Sequence, residues 1–131
     1  FDENFFLYFE EIDLCKLLSK QNKKVFLSKN LKIKHLGFKS SNLNTSTFKF
    51  EAEKLRNWHW MWSLFYFYKK NYNYFYAVYK TIDKLFKSLI KILFYSLIFD
   101  KKNIYKYLFR LLGLVASMLN CKSFYRGKFF N

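Results

Sequence analysis

The chain has 131 residues, with 24 Lys and Arg against 9 Asp and Glu, a formal net charge of +15, 52% hydrophobic and 24% aromatic residues. That apolar content excludes a disordered basic tail. The absence of Pro with only 3 Gly excludes linker and collagen-like compositions, and two Cys, Cys15 and Cys121, cannot build a disulfide scaffold or a Cys-rich zinc site.

Five acids, Asp2, Glu3, Glu10, Glu11 and Asp13, open the chain without an intervening Lys or Arg. Acids in a first helical turn complement the helix dipole, and Leu14, Leu17 and Leu18 follow at i, i+3 and i+4. A short amphipathic helix is therefore expected from Glu10 to Gln21. The other use of such a cluster is acid–base or metal chemistry. Lys24-Val25-Phe26-Leu27 and Leu31-Lys32-Ile33-Lys34-His35 read as two strands, the second alternating apolar and basic residues, with Ser28-Lys29-Asn30 as the turn. Gly37 ends the second run, and Ser40 to Thr47 is a polar loop.

From Phe48 the pattern becomes helical and aromatic. One helix is expected from Phe48 to Tyr72, a second from Tyr74 to Phe99 and a third from Asn103 to Leu119. In the second, Lys80, Lys84, Lys87, Ser88, Lys91 and Tyr95 share one sector, with Leu85, Phe86, Leu89, Ile92 and Leu93 outside it. The charge-free apolar runs fall short of the ~20 residues that span a bilayer. Wide apolar faces with basic stripes suit helices lying in a membrane interface. They equally suit a helix pair packed on a further domain with its Lys residues solvated.

The opening run Phe1-Asp2-Glu3-x-Phe5-Phe6-x-Tyr8-x-Glu10-Glu11-x-Asp13-Leu14-Cys15 resembles the acceptor-side signature of family 2 glycosyltransferases, in particular the rhamnosyltransferase-like enzymes of bacterial polysaccharide assembly. His35-Leu36-Gly37-Phe38-Lys39-Ser40 is similar to the family's H-x-x-G-x-S stretch, with Gly37 one position early. Trp58-His59-Trp60-Met61-Trp62-Ser63 and the aromatic run after it resemble the helix that follows the catalytic domain. The family's Arg after the Leu-Cys pair is replaced by Leu17, and a usual Pro by Lys29. The D-x-D metal motif of the nucleotide-binding half does not occur in the 131 residues.

The resemblance implies an α/β, mostly helical piece. Residues 1–47 form the C-terminal edge of a GT-A-type catalytic domain, and residues 48–131 an aromatic-rich extension of two or three amphipathic helices. It implies the C-terminal portion of an inverting, metal-dependent enzyme that moves a sugar, with rhamnose the first guess and the donor sugar not set by these residues. The donor is a nucleotide-sugar and the acceptor a glycan or lipid-linked saccharide. Alone, the chain is expected to be inactive.

Glu11 takes the place of the general base, with Glu10 and Asp13 in support. Asp13, about 200° round a helix from Glu11, is given a structural role, capping or pairing with backbone donors. Asp2, Glu3, Trp58 and His59 are the expected acceptor contacts, and His35 the expected metal-side ligand. The divalent cation, Mg or Mn, would be held mainly by the nucleotide-binding half. Lys80, Lys84, Lys87 and Lys91 would meet an anionic membrane on the cytoplasmic face of a bacterial cell. Two other classes fit the composition, a basic nucleic-acid-binding protein and a small membrane accessory subunit. The interleaving of Lys with apolar helix faces speaks against nucleic acid, and the lack of a full span against the embedded subunit.

Overall fold

The computed structural model describes residues 1–26, 28–34 and 46–127. Among them stand four helices, α1 (Glu10–Lys20), α2 (Ser46–Asn71), α3 (Tyr74–Leu97) and α4 (Lys101–Met118), and no strand. Every expected helix is present with its ends within two residues of the sequence-based bounds. The expected strands are corrected. The described residues of 24–34 run as irregular chain, with Phe26, Leu31 and Ile33 largely exposed. Alternation alone does not make a strand, because a strand is stabilised by a partner's hydrogen bonds and cross-strand side chains. The described chain is thus an all-helical domain, without the α/β edge expected of residues 1–47.

The helix ends have local causes. α1 begins at Phe9 in the left-handed region without a side-chain cap, and Glu10, Glu11 and Asp13 in its first turn offset the exposed amides. Asn73 caps α3 by accepting from the Tyr76 amide at 2.7 Å, and Asp100 caps α4 by accepting from the Asn103 amide at 3.1 Å. These short links fold α2, α3 and α4 into an up-down-up arrangement. Phe65 meets Tyr74 and Tyr95 stacks on Tyr107, while Phe50 meets Tyr105 across the parallel pair α2 and α4.

Met61, Leu64, Phe65, Ala77 and Leu114 form the core where the three helices meet. Small residues set the approach. Ala77, Thr81 and Ser88 face inward on α3, and the Thr81 and Ser88 hydroxyls donate to the carbonyls of Ala77 and Lys84, each at 2.8 Å. On α4 a Cβ at Gly113 would lie 2.1 Å from the Trp58 carbonyl oxygen, so only glycine lets α4 lie this close to α2.

Both ends of the described chain close over α2. Leu7, through its carbonyl, accepts from the Ser63 hydroxyl at 2.7 Å. The Cys121 carbonyl accepts from Trp62 Nε1 at 3.0 Å, and the Tyr125 carbonyl is 2.7 Å from His59 Nε2. The Arg126 guanidinium lies 4.0 Å over the Phe6 ring, which in turn packs on His59.

Candidate functional site

Residues 2–9 lie along the turns of α2 that carry Trp60, Ser63, Tyr66 and Lys70. Phe5 packs edge-on against Tyr66, and Phe9 against both Trp60 and Phe67. This stacking holds the acidic motif in one place. Lys70 Nζ reaches Asp13 Oδ2 at 2.6 Å and Asp2 Oδ2 at 2.7 Å. Asn71 Nδ2 donates to Asp13 Oδ1 at 2.8 Å, and the Tyr66 hydroxyl donates to Asp2 Oδ2 at 3.1 Å.

Partial burial pushes the Asp2 carboxyl up, but the hydrogen bonds from Lys70, Asn4 and Tyr66 outweigh it and hold the pKa at about 2. Burial likewise pulls Lys70 down, and its bonds to Asp13 and Asp2 more than restore it, leaving it raised. Asp13 is buried, and its partners are the α2 side chains Lys70 and Asn71 rather than backbone donors. Asp2 is tied to the same lysine, which leaves it a brace for the opening loop rather than an open acceptor contact. Glu3 is exposed beside it.

Glu11 stands exposed on α1, with no ion pair or hydrogen bond among the described residues. Glu10 is half-buried, its Oε2 enclosed without a hydrogen-bond partner among those residues. It lies close enough to Tyr8 to raise that phenol, while Arg56 lowers it; burial is the largest effect, and the net shift is upward.

The expected acceptor contacts on α2 are corrected. Trp58 and His59 are core residues at 3% and 0% exposure. Trp58 is covered by Trp62, Phe124 and Tyr125 and sits beneath Gly113. His59 is lowered to about 4, chiefly by burial, against the pull of the Tyr125 carbonyl and with the aid of Arg126. It is a neutral ring that donates from Nε2 to that carbonyl, with its Nδ1 enclosed and unpartnered among the described residues. The exposed tryptophan is Trp60, at 44%.

Trp60 marks a groove that composition and spacing did not single out. A cavity of about 300 Å³ on one side is lined by Tyr8, Arg56, Trp60, Lys106 and Arg110. A second, of about 360 Å³, shares Trp60 and Arg110 and adds Met61, Tyr107 and the lysines Lys84, Lys87 and Lys91. Tyr8 and Phe9 reach Trp60 from two successive left-handed residues, φ 67° and 70°, a conformation that non-glycine residues adopt only at a cost. Their aromatic identity was legible, but the turn that aims them was not.

Lys80, Lys87 and Lys91 are exposed and Lys84 half-buried on one shoulder of α3. Asp83 pairs with Lys84 at 3.2 Å and with Lys87 at 3.6 Å. Facing away from the bundle on the same helix, Phe75, Tyr79, Phe86, Ile90, Leu93 and Leu97 are all exposed. No helix among the described residues is long and apolar enough to cross a membrane.

His35, the expected metal-side ligand, lies outside the described residues. Among the described residues no three His, Cys, Asp or Glu side chains converge on a metal position. Asp2 and Asp13, the acids that do converge, enclose an ammonium group, so these residues do not fit a divalent-cation site. No protein-family model, curated protein or solved structure matches the chain.

Proposed function

We propose that the chain is the acceptor-side and C-terminal portion of an inverting family 2 glycosyltransferase of the rhamnosyltransferase-like group. It would pass a sugar from a nucleotide-sugar donor to a glycan or lipid-linked acceptor. The observation that supports this most is the division of labour within the acidic motif. Asp2 and Asp13 are committed to Lys70, whereas Glu11 on the same short helix is exposed and uncommitted among the described residues. A general base needs that accessibility. It must take the proton of an acceptor hydroxyl as the oxygen attacks the anomeric carbon and the nucleoside diphosphate departs. Glu10, the next residue, adds negative potential at the same helix start.

The GT-A α/β domain of this proposal would be supplied by chain other than the residues described. The same holds for a divalent cation, so no catalytic step is assigned to a metal here. The helical part would rest on the inner face of the cell membrane, peripheral rather than spanning. The support is the exposed apolar face of α3 beside the shoulder of Lys80, Lys84, Lys87 and Lys91. Basic residues near an anionic leaflet contribute about 1 kcal/mol each.

The test is Glu11→Gln in the enzyme carrying this chain, assayed for sugar transfer. The expected outcome is a kcat lower by roughly 10²–10⁴, the usual worth of a general base, with donor binding unchanged. Loss of activity in Glu10→Gln with Glu11→Gln intact would move the base by one residue. Full activity in both variants would sink the proposal.

A further inference from the structure

We infer that the groove through Trp60 binds the phosphate end of a single phosphorylated amphiphile, for which farnesyl diphosphate serves as the probe below. Three features of the groove carry this, and none of them is part of the acidic motif.

The first is charge. Six cations line the two cavities, Arg56, Lys106 and Arg110 on one side and Lys84, Lys87 and Lys91 on the other. The acids that face them are Glu53 in the lining, Asp83 beside Lys84 and Lys87, and Glu10 near Tyr8. The balance stays positive, and partly enclosed walls strengthen its hold on an anion.

The second is a built donor. Arg110 is shared by both cavities and is held from two sides. Its Nε donates to Asn57 Oδ1 at 2.8 Å, and its guanidinium carbon lies 5.6 Å from the centre of the Tyr107 ring. Asn57 is itself fixed, its Nδ2 donating to the Glu53 carbonyl at 2.7 Å. With Nε occupied, the two terminal nitrogens are left as a fork whose orientation is already set. Such a fork matches the oxygens of a phosphate and loses little entropy on binding.

The third is the apolar wall. Trp60, Met61 and Tyr107 line the larger cavity next to its lysines. A free inorganic anion would use the cations and gain nothing from that wall. An amphiphile would use both, and α3 continues past the lysine shoulder into its exposed apolar face. A nucleic acid would place charged phosphates along that face, where the burial of apolar surface offers it no compensation.

If the bound molecule is the sugar acceptor, that identification rests on the transferase proposal above. The binding does not, and it is measured without any transfer.

Calorimetric titration of the full chain below the critical micelle concentration decides the matter. Its arms are farnesyl diphosphate, inorganic diphosphate, farnesol, and vesicles of phosphatidylglycerol and phosphatidylcholine. Farnesyl diphosphate should bind with one-to-one stoichiometry, at least about tenfold more tightly than inorganic diphosphate or farnesol, since both ends contribute. Lys87→Gln with Lys91→Gln, two exposed changes, should weaken it roughly fivefold to tenfold and leave the unfolding midpoint in place. Arg110→Lys should weaken it as well, by removing the fork while keeping the charge. Equal affinity for inorganic diphosphate, unchanged affinity in the double lysine variant, or binding to the vesicles with none to soluble farnesyl diphosphate would each overturn the inference.

Discussion

Helices α2 and α3 are of similar length, 26 and 24 residues, and they use their apolar side chains in opposite ways. α3 carries eight Leu, Ile and Val residues and α2 only two, yet thirteen residues of α2 are buried and three of α3. Apolar content therefore does not decide which helix is the core. Position does. α2 is covered by α3, by α4, by the opening loop and by residues 121–126, so even His59, Ser63 and Asn57 are buried on it. The fully buried residues of α3 are the small ones, Ala77, Thr81 and Ser88; Val78 and Leu85 are partly buried against the core, and most of its other large apolar residues are exposed. Six large apolar side chains stand exposed on one face of α3 among the described residues, which is why the membrane proposal rests on that face.

The largest effect should come from the closest approach within the covered region. Gly113→Ala places a methyl 2.1 Å from the Trp58 carbonyl oxygen and 2.9 Å from its carbonyl carbon, both backbone atoms that cannot swing aside. The change should cost about 3 kcal/mol or more, measured as a fall in the denaturant midpoint. A loss below about 1 kcal/mol would mean that α4 does not lie against α2 as described.

Acid should act on the covered region next. His59 is neutral in the fold with its pKa lowered to about 4, against about 6.5 in the unfolded chain. The unfolded state then binds the extra proton, so this contribution is complete above about pH 6.5 and declines as pH falls towards 4, by about 3 kcal/mol in total. Denaturant unfolding across that range should slope in the wild-type chain and less steeply in His59→Gln, which keeps a donor for Tyr125. Parallel pH profiles would assign the acid sensitivity elsewhere.

The acidic motif should be somewhat less costly to disturb. Lys70→Met leaves the buried Asp13 with Asn71 alone and Asp2 without its cation. The expected loss is roughly 1–3 kcal/mol, less than for a fully buried pair because Lys70 is itself partly exposed. Asp2, held at about 2, contributes stability that is full above about pH 4 and fades as pH falls through 2. Lys70→Met should make that low-pH decline shallower, leaving the part due to Asn4 and Tyr66, which an acid titration of unfolding would detect.

The same contrast explains what could be read from the sequence. Helix bounds were legible because the aromatic and leucine spacings repeat at helical period, whereas the caps Asn73 and Asp100 that set the breaks emerge only from the structure. The strand pair was misread because Leu31-Lys32-Ile33-Lys34 satisfies a period of two with no partner strand among the described residues, and Ile33 is 91% exposed. In the site, the acids of the opening run were visible. Helix geometry already set Asp13 apart from Glu11, but the bracing of Asp2 and Asp13 by one cation was not visible, since it is set by Lys70, far along the chain. Trp58, Trp60 and Trp62 are indistinguishable by type. Which of them faces solvent depends on where α4 and the C-terminal residues cross, and that is fixed by Gly113 and by the Cys121 and Tyr125 carbonyls.

The outer face of α3 gives the smallest expected change in stability and the most direct test of the contrast. Phe86 and Leu93 are exposed there at 57% and 68%. Phe86→Ser combined with Leu93→Ser should leave the unfolding midpoint within about 0.5 kcal/mol of wild type. In the same preparations, co-sedimentation with anionic vesicles should fall by at least about tenfold, because two apolar side chains no longer enter the interface. An unchanged midpoint with lost vesicle binding is the predicted result. A midpoint lowered by core-sized amounts, or vesicle binding equal to wild type, would contradict the account.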